Sequence, residues 1–404
     1  MVQIQFHDKV GNSESLTGLQ GQTVDELLRT HNIPVNAVLT RINGKLVSEG
    51  SVLIHEADEV EVRQVRHYDM DVIRKPLNTQ VGSSQPVYTK SVLFDNDGDL
   101  EVCSERFDES GFINYIEQVF IHSILDNGLF SSDSGAVVGL SGGRDSVAFL
   151  KLLERTKKNL PPLNFKAVTV TGLPDWEEPM TFGAAKMSCK ALGAEHIIVD
   201  SGSIDEVFNL SRPFIEVMKR IAASKRHNIV MVITHHIMRR MIEIEAEKAN
   251  ISTVVLGLNS DDLVASLITW FTSGFQMGSI PKRRIGHFNY VFPLYRITKK
   301  ELTLYLELVA PELNRQGSPG KFTTGPEERS LAYAITDHLY DLWPGIDYYL
   351  FKAFENMQEF MIPRQHEKCA NCGASILKLS HKENVNVLCD VCDEFNHHKM
   401  LMQR

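Results

Sequence analysis

The sequence predicts an α/β protein built on a parallel sheet with helices on both faces, flanked by two smaller units. Three observations carry that expectation. Between residue 136 and about residue 310, short apolar runs of strand length alternate with longer stretches of helical spacing. The first apolar run, 136–140, passes through Ser141-Gly142-Gly143-Arg144-Asp145-Ser146 into the helical run 147–153. Ahead of this region stand alternating strand-like segments, and behind it two Cys-x-x-Cys pairs.

Residues 1–69 read as one compact unit. Val2, Ile4 and Phe6 alternate with polar residues as in a half-buried strand. Thr23 followed by Glu26 is a capping box at a helix start. An Asn43-Gly44 turn closes a strand pair over 38–47, and 58–65 alternates as a last strand, giving the order β-β-α-β-β. Residues 70–90, with Pro76, Gly82 and Pro86, read as a linker. Residues 91–131 read as a hairpin around Asp97-Gly98, then a helix through Phe112, Ile116 and Phe120. Residues 132–360 hold the predicted strands 136–140, 165–171, 196–199, 253–256 and 291–294, with helices between them. Parallel strands place ligands beyond their carboxyl ends, so Ser141, Thr171, Gly172, Asp200 and Gly257 are expected on one rim. The last unit is 365–397.

A strand, a serine/glycine turn and a helix start bring backbone N–H groups to the positive end of a helix dipole, a nest that suits pyrophosphate. Gly142 and Gly143 let the backbone approach the anion, and the Ser141 and Ser146 hydroxyls add donors. The spacing is not that of a Walker A loop.

In this setting the six residues resemble the pyrophosphate loop of the PP-loop (N-type) ATP pyrophosphatases, in the adenine nucleotide alpha hydrolase superfamily. The resemblance implies a Rossmann-like domain that cuts ATP between the α and β phosphates. AMP goes onto a substrate carbonyl oxygen, and a sulfur or nitrogen nucleophile then attacks the activated carbon. It implies ATP and Mg²⁺ as cofactors, with Leu140, Ser141, Gly142, Gly143, Arg144, Asp145, Ser146, Thr171 and Gly257 around the nucleotide.

Further along, His235-His236, Arg239-Arg240, Gly257-Leu258-Asn259-Ser260-Asp261-Asp262, the run 293–302 and Pro344-Gly345 follow one another. This order is similar to the tRNA 2-thiolation branch, over roughly residues 90–395. Asp145 and Asp262 are expected to hold Mg²⁺, because acidic side chains on that rim bridge a metal to phosphate oxygens. Arg239 and Arg240 are expected to neutralise phosphate charge as AMP is transferred. The likeness implies tRNA as acceptor, an external sulfur-donor protein and a homodimer. The same activation on a small molecule, giving an amide or thioamide, is a second reading. A non-catalytic nucleotide-binding scaffold is a third.

Two departures matter. The sulfur-inserting relatives use three cysteines where this chain, by spacing, has Val232, His235 and Ser318, so an iron–sulfur cluster held in the family manner is not expected. His235 and His236 read better as packed histidines than as an acid/base pair. The first unit resembles the ubiquitin-like β-grasp sulfur carriers of the ThiS/MoaD type. Those act through a free Gly-Gly terminus, whereas here Tyr68-Asp69 stand in that place and the chain continues. The unit is therefore expected to dock rather than to carry sulfur.

Cys369-x-x-Cys372 and Cys389-x-x-Cys392, separated by residues 373–388, place four thiolates in two tight knuckles. That pattern predicts a closed tetrahedral Zn²⁺ site in a ribbon, structural rather than catalytic. Cys189, among small apolar residues, is expected to be a buried packing thiol, and Cys103 a relic of the family's N-terminal zinc finger.

A formal net charge of −9 argues against a surface given over to nucleic acid. Local basic clusters exist at Lys219-Arg220, Lys225-Arg226, Arg239-Arg240, Lys282-Arg283-Arg284 and Lys299-Lys300. No apolar run approaches the ~20 residues of a membrane span, no secretory pattern opens the sequence, and the paired cysteines suit a reducing compartment. A cytoplasmic protein is expected.

Overall fold

The computed structural model describes residues 2–7, 13–18, 20–31, 33–50, 52–65, 86–96, 99–130, 135–173, 179–223, 227–273, 278–313, 327–358, 366–377, 387–398 and 401. The expectations for Tyr68-Asp69, for the Asp97-Gly98 turn and for Ser318 fall outside them, as does the side chain of Cys103.

The N-terminal unit is made of β1 (Val2–His7), β2 (Ser13–Gly18), α1 (Val24–Thr30), β3 (Val38–Ile42), β4 (Lys45–Val47) and β5 (Val60–Gln64). Its sheet has the order β2-β1-β5-β3-β4, with β1 and β5 parallel at the centre. Alternation decides the faces: Val2, Ile4 and Phe6 are buried, as are Val60 and Val62, and they close on Val24, Leu27 and Leu28 of α1. The capping box forms, Thr23 Oγ1 accepting from the Glu26 N–H at 3.1 Å and Glu26 accepting from the Thr23 N–H at 2.8 Å. Asn43 (φ 52°) and Gly44 (φ 79°) both adopt left-handed backbone, as a two-residue hairpin turn demands. Strand β2 gives no alternating signal because it is an edge strand whose Ser13, Glu14 and Ser15 are exposed.

Next come β6 (Tyr88–Asn96), β7 (Asp99–Phe107) and α2 (Glu109–Leu125). The hairpin starts inside the expected linker, since Tyr88 already pairs with Phe107.

The main sheet and its helices comprise β8 (Ala136–Gly139), α3 (Arg144–Thr156), β9 (Phe165–Val170), α4 (Pro179–Leu192), β10 (Glu195–Val199), α5 (Ser201–Val207), α6 (Phe214–Ala223), α7 (His227–Lys248), β11 (Thr253–Leu256), α8 (Ser260–Ser273), β12 (Lys282–Ile285), β13 (Phe288–Val291), α9 (Lys299–Val309), α10 (Glu327–Leu342) and α11 (Ile346–Gln358). The strand order is β10-β9-β8-β11-β13-β12, parallel except for the edge strand β12. Alternate strand residues feed two cores. Val137, Val168, Val254 and Tyr290 join Phe208, Phe214, Ile237 and Leu263 on one face. Ala136, Val138, Ala167 and Val255 join Phe120, Phe149, Leu152 and Leu302 on the other. Helices on both faces are the reason these strands read as continuous apolar runs.

The expected last strand, 291–294, is displaced. The strand is Phe288–Val291, and its hairpin partner β12 carries no periodic apolar signal. Pro293 lacks the N–H a ladder needs, and the chain turns there, the Ile297 N–H bonding to the Leu294 carbonyl at 2.9 Å.

The last described elements are β14 (His366–Lys368), β15 (Ser375–Leu377) and α12 (Asp390–His397). They belong to the main core: Phe395 meets Phe208 edge-on at 6.1 Å. Among the described residues, no helix is long and apolar enough to cross a membrane.

Candidate active site

Chain connections leave β8 in opposite directions: β9 and β10 lie to one side, β11 and β13 to the other. That reversal opens a crevice at the carboxyl ends of β8 and β11, the place where α/β sheets take ligands. Residues 141–146 lie after β8, and Gly257 to Asn259 after β11.

Gly142 (φ 75°) turns the chain back toward the sheet in a conformation that favours glycine. The Ser146 hydroxyl receives the Ser141 N–H at 3.1 Å, and the Ser141 hydroxyl receives the Gly143 N–H at 3.2 Å. Gly143 is the N-cap of α3 and offers no capping side chain. The first backward helical bond runs from the Val147 N–H to the Gly143 carbonyl at 3.1 Å, so the N–H groups of Arg144, Asp145 and Ser146 precede the ladder. An anion finds donors and a favourable dipole there. Leu140, buried beneath the turn, is fixed by its N–H to the Val168 carbonyl at 2.8 Å.

Four side chains converge on this turn. Lys299 Nζ donates to Asp145 Oδ2 at 3.1 Å, and Asn259 Nδ2 donates to the same oxygen at 3.1 Å. Asp262 lies one turn further: its N–H is held by Asn259 Oδ1 at 2.9 Å, and its Oδ1 accepts the Tyr333 hydroxyl at 2.5 Å. Burial opposes the charge on Lys299, but Asp145 and then Asp262 outweigh it and hold the ammonium above its ordinary pKa. Burial pulls the Arg144 guanidinium below its usual value, with Asp145 opposing the shift. Asp145 Oδ1 is buried with no hydrogen-bond partner among the described residues. Gly257 borders the turn with open space: an added Cβ would meet nothing nearer than 3.9 Å, the Asp145 carbonyl and Leu294. Thr171 ends β9 with its N–H on the Val199 carbonyl at 2.8 Å.

The structure thus brings together residues 140–146, Gly257 and Asp262. Arg239 and Arg240 have their described hydrogen bonds and ion pairs elsewhere. Arg240 donates to the Cys372 carbonyl at 2.8 Å and pairs with Glu247 at 3.2 Å, and Arg239 lies 3.5 Å from Glu243. Both face the cysteine cluster and the buried Glu243–Tyr290 pair, because α7 turns this face toward the C-terminal unit. Lys299, Asn259 and Tyr333 are the residues that sequence reasoning did not single out. Lys299 lay in a basic cluster whose other reading was a solvated face, and its partner is fixed by the fold.

The Cys369, Cys372, Cys389 and Cys392 sulfurs all lie within 4.8 Å of one another and are buried, a group that could bind a metal. The Cys389 N–H points to Cys369 Sγ at 3.3 Å, Asn371 Nδ2 to Cys392 Sγ at 3.3 Å, and His236 Nε2 lies 3.4 Å from Cys389 Sγ. Val232 and His235 are exposed on α7. Burial pushes the Cys189 thiol up to about 11.

No protein-family model matches the chain, and no curated protein matches it. Among solved structures, the fold is shared with the U34-tRNA thiolase NcsA from Methanococcus maripaludis, described with its [4Fe-4S] cluster. The TM-score is 0.51 at 21% identity, over 72% of this chain and 90% of that one. An NMN synthetase from Francisella tularensis matches at TM-score 0.35 and 16% identity, over 64% and 99% of the two chains. An NH3-dependent NAD synthetase from Campylobacter jejuni matches at 0.32 and 16%, over 65% and 100%.

Proposed function

We propose that the chain is an ATP pyrophosphatase that adenylates a substrate carbonyl oxygen and passes the activated carbon to a sulfur nucleophile, with tRNA the favoured acceptor. One observation carries this reading: an uncapped helix N-terminus, Lys299, Asp145 and Asp262 meet at the strand-order reversal of the sheet. The shared fold with a tRNA thiolase supports it.

In this reading the N–H groups of residues 144–146 hold the β and γ phosphates, and the Ser141 and Ser146 hydroxyls supply further donors. Lys299, kept cationic by its carboxylates, offsets charge that develops on the leaving pyrophosphate. The carbonyl oxygen attacks the α-phosphorus, pyrophosphate leaves, and the nucleophile then attacks the activated carbon as AMP departs. Asp145 Oδ1 fits a cation, being buried and unbonded, and Asp145 and Asp262 would hold Mg²⁺. Bound there, the ion would supply charge stabilisation at the phosphates. Cys189 suits packing, since a thiol pushed up to about 11 is poorly ionised at neutral pH, so sulfur comes from an external donor.

We read the four cysteines as a structural Zn²⁺ site in a ribbon. Tetrahedral Zn–S bonds of about 2.3 Å put sulfurs about 3.8 Å apart, and Cys372 and Cys389 Sγ lie 3.8 Å apart. The parallel β1–β5 centre of the N-terminal sheet supports the β-grasp reading. The small-molecule reading is favoured by one observation: Val232 and His235 stand where thiolating relatives are expected to place cysteines. The test is ATP turnover by the purified chain, followed by mass analysis of tRNA nucleosides from a deletion strain. AMP and pyrophosphate production with loss of a thiolated nucleoside supports the reading. Turnover with unchanged 2-thiouridine and 2-thiocytidine favours a small acceptor, and no turnover defeats both.

A further inference from the structure

The first residues of α9 bind three parts of the molecule at once. Lys299 Nζ reaches Asp145 in the nucleotide crevice at 3.1 Å. Lys300 Nζ, the next residue, reaches Glu49 at 2.8 Å and the Val35 carbonyl at 3.0 Å, both in the N-terminal sheet unit. Glu301 closes the helix cap on Thr298 while accepting from Tyr88 at 2.8 Å and Lys90 at 3.1 Å in the hairpin. Successive residues of a helix point in different directions, so one short segment faces all three partners.

Three further connections fasten the N-terminal unit to this hub. Asn36 Nδ2 donates to Asp261 Oδ1 at 2.9 Å and to Asp337 Oδ1 at 3.3 Å, on α8 and α10. Asp261 in turn accepts the backbone N–H of Lys299 through Oδ2. Arg41 and Arg63 both pair with Glu307 of α9, the second at 2.9 Å. Finally, Arg144 of the 141–146 turn donates to the Val65 carbonyl at 3.3 Å. Leu39 and Val65 leave the unit's own core and pack into that of the main sheet.

We propose that the N-terminal sheet unit is a built-in positioning element of the nucleotide site. Its docking is coupled to nucleotide binding through the contiguous path Asn36–Asp261–Lys299–Asp145, with Asn36 as the positioning residue. The path gives the unit a way to set the Lys299 backbone, and through it the ammonium that faces Asp145. Arg144 provides a second, independent tie between the unit and the turn. The inference rests on the nucleotide reading of residues 141–146 and deepens it. The unit would then serve the reaction in place, without leaving the enzyme.

Linkage makes the coupling reciprocal: what docking gives to ATP affinity, ATP gives back to docking. The test uses the full chain, ATP calorimetry and amide hydrogen exchange. Asn36→Ala is expected to weaken ATP binding roughly tenfold, the scale of a lost hydrogen bond to a charged group. Asn36→Asp, which sets a carboxylate against Asp261 and Asp337, is expected to weaken it further. In the wild-type chain ATP is expected to slow exchange over residues 35–39 and 60–65 by the factor that Asn36→Ala loses in affinity. Unchanged affinity in both variants, or exchange in 35–39 that ATP leaves unaltered, overturns the coupling while the nucleotide site stands. Absence of ATP binding by the wild-type chain overturns both readings.

Discussion

Lys299 Nζ donates to Asp145 Oδ2 at 3.1 Å, joining the start of α9 to the turn after β8. The pair is largely buried, with side-chain exposures of 18% and 19%, and the Asn259 amide shares the carboxylate. A cation held this way is already oriented when a phosphate arrives, and preorganised charge is what an in-line displacement needs.

Replacing Lys299 tests that role. Lys299→Met is expected to lower AMP formation by about 10²–10³-fold, the scale of losing one preorganised charge donor. Lys299→Arg is expected to restore part of it. Pyrophosphate release, measured at saturating ATP, reads both.

Gly257 separates a ligand's space from a packing need. The glycine has ordinary van der Waals room for a Cβ, with no neighbour nearer than 3.9 Å. Gly257→Val is therefore expected to leave the melting temperature within about 3 °C of wild type while weakening ATP binding severely. A large loss of stability with normal ATP affinity would show that the glycine serves packing.

Glu301 predicts an acid limit. Burial works against its carboxylate, but Lys90, the Thr298 N–H and the Tyr88 hydroxyl outweigh it and hold Glu301 below its ordinary pKa of about 4.5. A depressed folded-state pKa gives stability that is present above the unfolded value and lost as pH falls through the folded one. Wild type is expected to lose stability below about pH 4.5, and Glu301→Gln to be less stable at neutral pH with a flatter acid limb. Urea unfolding at several pH values measures the difference.

Much of this architecture is legible in the sequence, for physical reasons that also mark where it stops. Strands β8, β9 and β11 are covered on both faces, so their apolar runs announce them. The 141–146 turn is legible because glycine and serine at a strand-to-helix junction have a direct meaning. Strand β12, with Lys282, Arg283 and Arg284, has no such signal: it is an antiparallel edge, and its hairpin partner ends before Pro293. Lys299 and Lys300 look like any exposed lysine pair, because their acidic partners Asp145 and Glu49 are 154 and 251 residues away. Arg239 and Arg240 follow the expected order of motifs, yet α7 presents them to Glu243, Glu247 and Cys372.

Removing metal from the cysteine cluster is expected to unfold the segment around α12 and to loosen Phe395 from Phe208. One Zn²⁺ per chain is expected by elemental analysis, and a colourless protein. The Cys372→Ser variant is expected to lose the metal together with protection of residues 387–398 from proteolysis. A brown protein carrying iron would contradict the zinc reading.

The central claim is that the turn at residues 141–146 grips the diphosphate part of ATP, and the most direct measurement is calorimetric titration of the chain with ATP and with inorganic pyrophosphate. The account predicts that both bind, that each competes with the other, and that Gly142→Val loses both while keeping its fold. Undiminished binding of ATP and pyrophosphate by a folded Gly142→Val variant would contradict it.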